Sequence, residues 1–448
     1  MLQRLKIFGG ILIIVIIIFI LFLPEGKSVS NSSSDGKVHL KYWYVTGTKE
    51  EIPYHATEFN KIQDSIVVES TPIPWNEHEK KILTSILSGN PPDVIGLVTP
   101  IPKWASRMAL TPIDKFIQKD NFDTSIFFPS LWEEMKWHNK TFGIPIYSNS
   151  YAFFYNKKLF KEAGIDPNKP PTTWDEVIQY SKLLTKKDEK GRFIRMGFIP
   201  HYGNLQTSIL IAFELGAKFL SDDKKKVSLT NSEMIKALQW EVDFYDDYSY
   251  RQISSFTAGF GYGNQHGFIS EKVAMMVLDN TFPEQIKIYN PNLDYGIAMI
   301  PTFENSKTAS SSGSWWIAIP RGSKNPDAAW EFFKFATNTQ TQINEALKMN
   351  VNLFPSNKKS ATDSSFLAKN KSLKIFVQQM DYAFSPSIVP LVHDIFWREF
   401  LNAREKALNK IKTPFEALKE AENIIQTKLD EAIEYDEYVR EKLKNENL

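Results

Sequence analysis

Between Val38 and Ile95 the hydrophobic period switches repeatedly between two residues and about 3.6, and such a chain buries both kinds of element by laying helices on a parallel sheet. Val38, Leu40, Tyr42 and Tyr44 alternate with His39, Lys41 and Trp43, which is strand patterning and sets Trp43 on the face opposite the tyrosines. Ile52, Ala56, Phe59 and Ile62 recur at helical spacing, and Ile66-Val-Val68 then supplies a short β-branched strand. Ile82, Leu83, Ile86 and Leu87 mark a second amphipathic helix. Gly89 stops it, Pro91-Pro92 prevents it resuming, and Val94-Ile95 begins a third strand. The expected fold class is α/β.

The pattern restarts further on. Tyr151 to Tyr155 reads as a strand, Lys157 to Ala163 as a short helix ended by Gly164, and Thr173-Trp-Asp-Glu176 has capping-box spacing ahead of a helix to about Thr185. Helical segments follow near 205–215 and 232–246, with strands at Met196 to Ile199, Lys272 to Leu278, Tyr295 to Ile300 and Trp315 to Ile319. The last of these leads into a helix from Pro326 to Thr337. From Asp394 to Lys442 the pattern is almost wholly helical, with Pro414 suited to the first turn of a fresh helix.

Arg4 and Lys6 precede Ile7 to Leu23, a run with no charged side chain. As a helix it reaches about 25 Å, the short end of a bilayer span, so it reads as an export signal that either stays as an anchor or is cleaved. Cleavage chemistry after it is poor, the best lying around Gly26 to Ser30, which favours the anchor. Basic residues held inside leave the rest of the chain outside the cytoplasm. Residues 24–36, small and polar, read as a tether.

Lys plus Arg number 53 against 52 Asp plus Glu, so no net field favours nucleic acid. The absence of cysteine excludes disulfides, thiolate metal sites, a cysteine nucleophile and an N-terminal lipidated cysteine. No zinc-protease motif, phosphate loop, dinucleotide fingerprint or EF-hand loop occurs, and no cofactor is expected. A secreted glycoside hydrolase would need two cleft carboxyls about 5 to 9.5 Å apart, and no isolated carboxylate pair in an apolar strand context suggests one.

Several segments in order resemble the extracellular solute-binding proteins of ATP-driven importers, in the maltose-binding-like group that takes sugars. They are Ser88-Gly-Asn-Pro-Pro-Asp-Val94, Gly143-Ile-Pro-Ile146 with Tyr151-Ala-Phe-Phe-Tyr-Asn-Lys-Lys-Leu-Phe-Lys-Glu-Ala-Gly164, and Pro171-Thr-Thr-Trp-Asp-Glu176. Lys272-Val-Ala-Met-Met276, Ile300-Pro301, Gly313-Ser-Trp-Trp-Ile-Ala-Ile-Pro320 with Gly322-Ser-Lys-Asn-Pro326, and Pro414-Phe-Glu-Ala-Leu418 follow. The resemblance spans about Val38 to Leu429. It implies the type II periplasmic-binding-protein fold, in which two lobes of mixed sheet and flanking helices close on ligand about a hinge. The expected lobes are residues 37–147 with 302–354, and 148–301 with 355–448, crossing near Ile146 to Ser150, Met299 to Thr302 and Leu353 to Ser356. It further implies a monomeric receptor that needs no cofactor, binds a carbohydrate and docks on importer permease subunits. Two departures stand out: no lipid-bearing cysteine follows the signal, and Tyr147 stands where a small residue is expected, so it alters the hinge or reaches into the cleft.

A sugar site needs flat rings for C–H faces and buried polar groups for hydroxyls. Trp43 lies near the end of the first strand and Trp75 in the loop after Pro72-Ile-Pro74. In Gly313-Ser-Trp-Trp316 the two rings face opposite sides of a strand, and Trp315 is the one assigned to the cleft. Asp279, Asn280 and Phe282 emerge from a buried strand, although Asp, Asn and Thr there also suit helix capping. Tyr202, in a polar loop with His201, and Asp93 complete the set, although an Asp placed as Asp93 is more often used to cap or brace its turn.

Overall fold

β1 (Val38–Thr46), β2 (Ile66–Pro74) and β3 (Val94–Leu97) pair in parallel in the order β2–β1–β3, as the alternating periods require. The computed structural model describes residues 36–46, 52–202, 205–304, 306–348 and 353–445. The apolar run Ile7 to Leu23 and nearly all of the expected tether lie outside them. Among the described residues no helix is long and apolar enough to cross a membrane.

The next strand, β4 (Gly143–Asn156), is 14 residues long and belongs to both halves of the molecule. β5 (Phe193–Phe198), β6 (Val273–Asp279), β7 (Tyr295–Ala298) and β8 (Ser310–Ala318) complete the main framework. β8 lies antiparallel between β3 and residues 143–150 of β4, while β6 and β7 pair antiparallel with residues 151–156 of the same strand. β5 lies parallel to β6. The single hydrogen-bonded sheet therefore twists through two bodies, with β4 as its common rail.

The cores follow that division. Tyr42, Tyr44, Phe59, Ile144, Ile146, Trp330 and Phe332 form a cluster on one face of the first sheet, and Val45, Ile82, Ile101, Trp104 and Trp316 a cluster on the other. The split of Tyr42 and Tyr44 from Val45 is the alternation read in the sequence. A larger cluster holds Phe153, Phe154, Trp174, Phe198, Met275, Phe376 and Phe400.

Most elements match their sequence signals. Thr173 and Glu176 form a reciprocal capping box at the helix Trp174–Leu184. The helix Pro326–Thr337 opens on its proline, and the C-terminal region divides into His393–Leu408 and Pro414–Asn445. β2 runs to Pro74, well past Val68, because an edge strand paired only to β1 tolerates Glu69, Ser70 and prolines. One expected crossing is displaced. Ile300, Phe303 and Ala309 pack in the larger cluster and Thr302 bridges to Thr173, so the chain passes between bodies along β8 and not near 299–302. The first lobe as read from sequence therefore took in residues 302–309 that pack with the second.

Two further ties join distant segments. Arg404 donates from Nε and Nη2 to Glu241 Oε1, both groups being buried, and this fixes the helix His393–Leu408 on the helix Ser232–Asp246. Asp436, 3% exposed on the C-terminal helix, lies 2.7 Å from His138 Nε2, so that helix reaches the hairpin 136–141 of the first body.

Candidate functional site

Strand direction fixes where the two bodies face each other. β8 is antiparallel to both β3 and β4, so β4 runs with β1–β3 and leaves the first sheet at their C-terminal edge. β6 is antiparallel to β4, so β6 and its parallel neighbour β5 end where β4 enters the second sheet, with Asp279 opposite Tyr151. The C-terminal edges of the strands in both bodies therefore meet across residues 147–151, the crevice in which open α/β sheets bind ligands.

On the first body this edge carries two tryptophans. β2 ends at Pro74, and Trp75 is 50% exposed beyond it. Trp316 pairs with Leu97, the last residue of β3, so Trp315 stands one step past that edge. The rings of Trp75 and Trp315 meet edge to face with centroids 6.2 Å apart, and His78 flanks Trp75 at 5.7 Å. Trp316 turns to the other face, fully buried, and donates Nε1–H to Thr99 O at 2.9 Å. Gly313, beside them, faces the Asn149 side chain: a Cβ there would sit 2.5 Å from Asn149 Oδ1, so the amide would have to move aside.

Four of the residues singled out from sequence are structural. Trp43 lies mid-strand opposite Thr71 and Ile95, half-buried against the second face of the sheet with Lys81 Nζ 5.2 Å from its ring centre, so it is a packing residue and not a platform. Asp93 precedes β3 at the edge remote from the crevice. Its carboxylate accepts from Lys41 N, Ser323 Oγ and Asn325 Nδ2, which uses its capacity on the fold. Asn280 is fully buried, its Oδ1 accepting from Ser150 N at 2.9 Å and its own N–H reaching Ser150 O, and so braces β4. Phe282, 6% exposed, packs edge-on to Phe154 and against His266 in the core.

Asp279 lies at the crevice edge, and its Oδ1 accepts from Thr281 N and Oγ1, the turn that the capping chemistry anticipated. Beside it, Tyr151 has its hydroxyl pKa raised by burial and by the Asp279 charge. Tyr202 forms a hairpin with Leu205–Gln206 immediately after β5, which puts its backbone at the same edge. Its side chain and residues 203–204 lie outside the described residues. Tyr147 turns away from the crevice, its hydroxyl 2.5 Å from Glu345 Oε1.

Two residues without a sequence assignment complete the crevice floor. Glu134, Thr99, Ser314, Trp316, Ser387 and His393 line a cavity of about 80 Å³ between the end of β3, the middle of β8 and the start of the helix His393–Leu408. Burial pushes the Glu134 carboxyl up to about 7, against the lowering effect of hydroxyls from Ser314 and Ser385. Burial also lowers the His393 pKa, so the ring is neutral at pH 7. A signal existed for both. Glu134 stands three residues after Leu131, and His393 three before Phe396, each in line with the apolar stripe of its own helix.

A cavity of about 500 Å³ beside β7 is lined by Pro171, Ala298, Met299, Lys307 and Tyr382 and takes nothing from the first body, so filling it would not couple to closure. Among the described residues no cluster of His, Asp and Glu could hold a metal ion.

Residues 44–343 match the family of bacterial extracellular solute-binding proteins. The sn-glycerol-3-phosphate-binding periplasmic protein UgpB of Brucella abortus is 22% identical over 339 residues, 70% of this chain and 73% of that one. CpMnBP1, solved with mannobiose bound, is similar at 28% identity and a TM-score of 0.69, over 86% of this chain and 99% of that one. The cyclic α-maltosyl-1,6-maltose binding protein of Arthrobacter globiformis shares the fold at 22% identity and a TM-score of 0.73, over 88% and 99%.

Proposed function

The chain belongs to the bacterial extracellular solute-binding proteins, and we propose that it captures a neutral di- or oligosaccharide outside the cytoplasm and presents it to the membrane permease of an ATP-driven importer. The observation that carries this reading is the Trp75–Trp315 pair at the strand edge facing the second body. A sugar ring offers a weakly polar C–H face that stacks on an indole and a rim of hydroxyls that need buried polar partners. Asp279 and Tyr202, at the facing edge of the second body, are the proposed hydroxyl partners there. The ligand classes held by CpMnBP1 and the Arthrobacter protein support the same choice.

The sn-glycerol-3-phosphate relative sets the alternative, a phosphorylated solute. A phosphate calls for arginine or a well-formed helix N-terminus. The crevice residues identified above instead offer rings, hydroxyls and carboxyls, Asp279 among them, which disfavour an anion.

The mechanism is a population shift. A solute touching both bodies gains its full contacts only when they close about β4, so it favours the closed form by its difference in affinity for the two states. The family is one of binding proteins, and ATP is spent by the importer inside the cell. We further propose that Ile7 to Leu23 holds the protein at the membrane, supported by the length of its uncharged run.

The test is thermal unfolding of the purified chain with mannobiose, maltotetraose or sn-glycerol 3-phosphate. At about 100 times its dissociation constant a true ligand adds about 2.7 kcal/mol, a shift of several degrees. A rise with a neutral sugar, recovered unaltered, supports the reading; a rise with the phosphate ester alone overturns the sugar assignment. Removal of residues 1–23 should release the protein from the membrane fraction.

A further inference from the structure

The cavity at the crevice floor contains two polar atoms with no partner. Glu134 Oε2 accepts from Ser314 Oγ at 2.6 Å and the Ser385 hydroxyl also lies near the carboxyl, whereas Glu134 Oε1 is buried and receives no hydrogen bond of good geometry. His393 Nδ1, from the other side of the same cavity, is likewise buried and unbonded. Orphaned groups of this kind destabilise the fold unless something fills the space between them. Thr99, on the third wall, has its carbonyl and hydroxyl oxygens already engaged by Trp316 Nε1 and Trp104 Nε1. The buried side-chain atoms of this lining that have no partner are Glu134 Oε1 and His393 Nδ1.

We propose that this cavity is a hydroxyl-binding subsite of the crevice, taking an uncharged hydroxyl or hydroxymethyl group of the bound solute and refusing a phosphorylated one. The proposal rests on the sugar reading above and specifies how the polar end of that sugar is recognised. With Oε2 occupied by Ser314, the proton of a neutral Glu134 sits on Oε1 and donates into the cavity. A neutral His393 whose Nδ1 carries no proton accepts from the same group. A hydroxyl both accepts and donates, so it satisfies both atoms at once. The volume, about 80 Å³, has room for a hydroxymethyl group, since one water needs about 10–15 Å³ by this measure. A phosphate offers only acceptors at Glu134 Oε1 and Nδ1 and brings charge to a site with no cation in its wall.

The surrounding charges fit this assignment. On the adjacent helix Ile101–Ala105, Lys103 pairs with Glu79 at 2.7 Å and Asp394 at 3.4 Å, and the charges of Lys103 and Asp394 act on His393 in opposite directions. Glu133, beside Glu134, is exposed and lies 3.2 Å from Lys136 and 3.9 Å from Lys224. β8 and the segment 386–392 bring no charged side chain to the cavity. Glu134 is neutral below about pH 7, so a solute that needs its proton binds fully below that pH and progressively less above it.

The experiment is calorimetric titration of the full chain with mannobiose and maltotetraose from pH 5.5 to 8.5, for the native protein, Glu134→Gln, Glu134→Ala and His393→Ala. Gln donates as the protonated acid does. The expected result is near-native affinity at pH 6 for Glu134→Gln without the fall above pH 7, and at least a tenfold loss for Glu134→Ala and His393→Ala. Unfolding midpoints, measured in parallel, separate loss of binding from loss of fold. Sugar binding unchanged in all three variants overturns the subsite and leaves the sugar reading intact. A native protein that binds sn-glycerol 3-phosphate and neither sugar overturns both.

Discussion

The hydroxyl of Tyr147 and the carboxylate of Glu345 meet at 2.5 Å, tying β4 to the helix Thr339–Lys348. His55 Nδ1 closes the cluster at 2.9 Å from the same carboxylate, and burial with the Glu345 charge raises the pKa of Tyr147. The large residue at this position therefore ties β4 to that helix, and its hydroxyl is directed at Glu345 instead of the crevice.

Tyr147→Phe should cost about 1–3 kcal/mol, because it strips a donor from a buried carboxylate and leaves the ring in place. Urea unfolding of the full chain measures this, and a change below about 0.3 kcal/mol would mean the bond is replaced by water.

Trp75→Ala should leave stability within about 0.5 kcal/mol, as expected of an exposed side chain, while weakening sugar binding at least tenfold. Trp43→Ala should do the reverse, lowering the unfolding midpoint through lost packing with affinity unchanged. Paired unfolding and titration experiments separate the two tryptophans, and a binding loss confined to Trp43→Ala would return the platform to that strand.

Asp93→Ala should destabilise by about 2–4 kcal/mol, since Lys41 N, Ser323 and Asn325 all lose their acceptor within a buried turn. Sugar affinity of the folded variant should be native. A selective loss of affinity at unchanged stability would place the carboxylate in the crevice after all.

Glu214 supplies a pH prediction. Its Oε2 accepts from Trp174 Nε1 and Phe303 N at 3.0 Å each, and burial pushes its pKa from 4.5 to about 8. Between those values the folded chain keeps a proton that the unfolded chain has released, so stability falls as pH rises through the window and levels off above it. Glu214→Gln should flatten this slope, at most about 1.4 kcal/mol per pH unit, as measured by urea unfolding from pH 5 to 9. Glu134 adds a slope of the same sign up to about pH 7. His266, lowered to about 4 by burial, acts oppositely, its contribution being lost as pH falls below 6.5.

Periodicity revealed the elements that have a clean pattern. The helix Pro326–Thr337, the capping box at Thr173 and the division of Tyr42 and Tyr44 from Trp43 all follow from local chemistry. The first half of β8 was not readable, because Ser310-Ser-Ser-Gly313 has no strand pattern and gains its ladder from β4 and from Ala383–Phe384. That hidden half displaced the second crossing. In the site, loop position pointed to Trp75 and the alternation of faces to Trp315. Asp93, Asn280 and Phe282 misled because residue type alone does not tell which end of a strand faces the crevice, nor whether an amide braces backbone. Glu134 and His393 meet only through tertiary packing.

The route of the chain through its cores carries a consequence for biogenesis. The cluster around Tyr42, Phe59 and Ile144 is completed only by Trp330, Phe332, Phe333 and Ala336, and β3 gains its second neighbour only when β8 arrives. A nascent or translocating chain emerging N-terminus first therefore cannot close its first core until about three quarters of its length has appeared. The native contact map itself delays folding, and so keeps the polypeptide threadable during passage across a membrane.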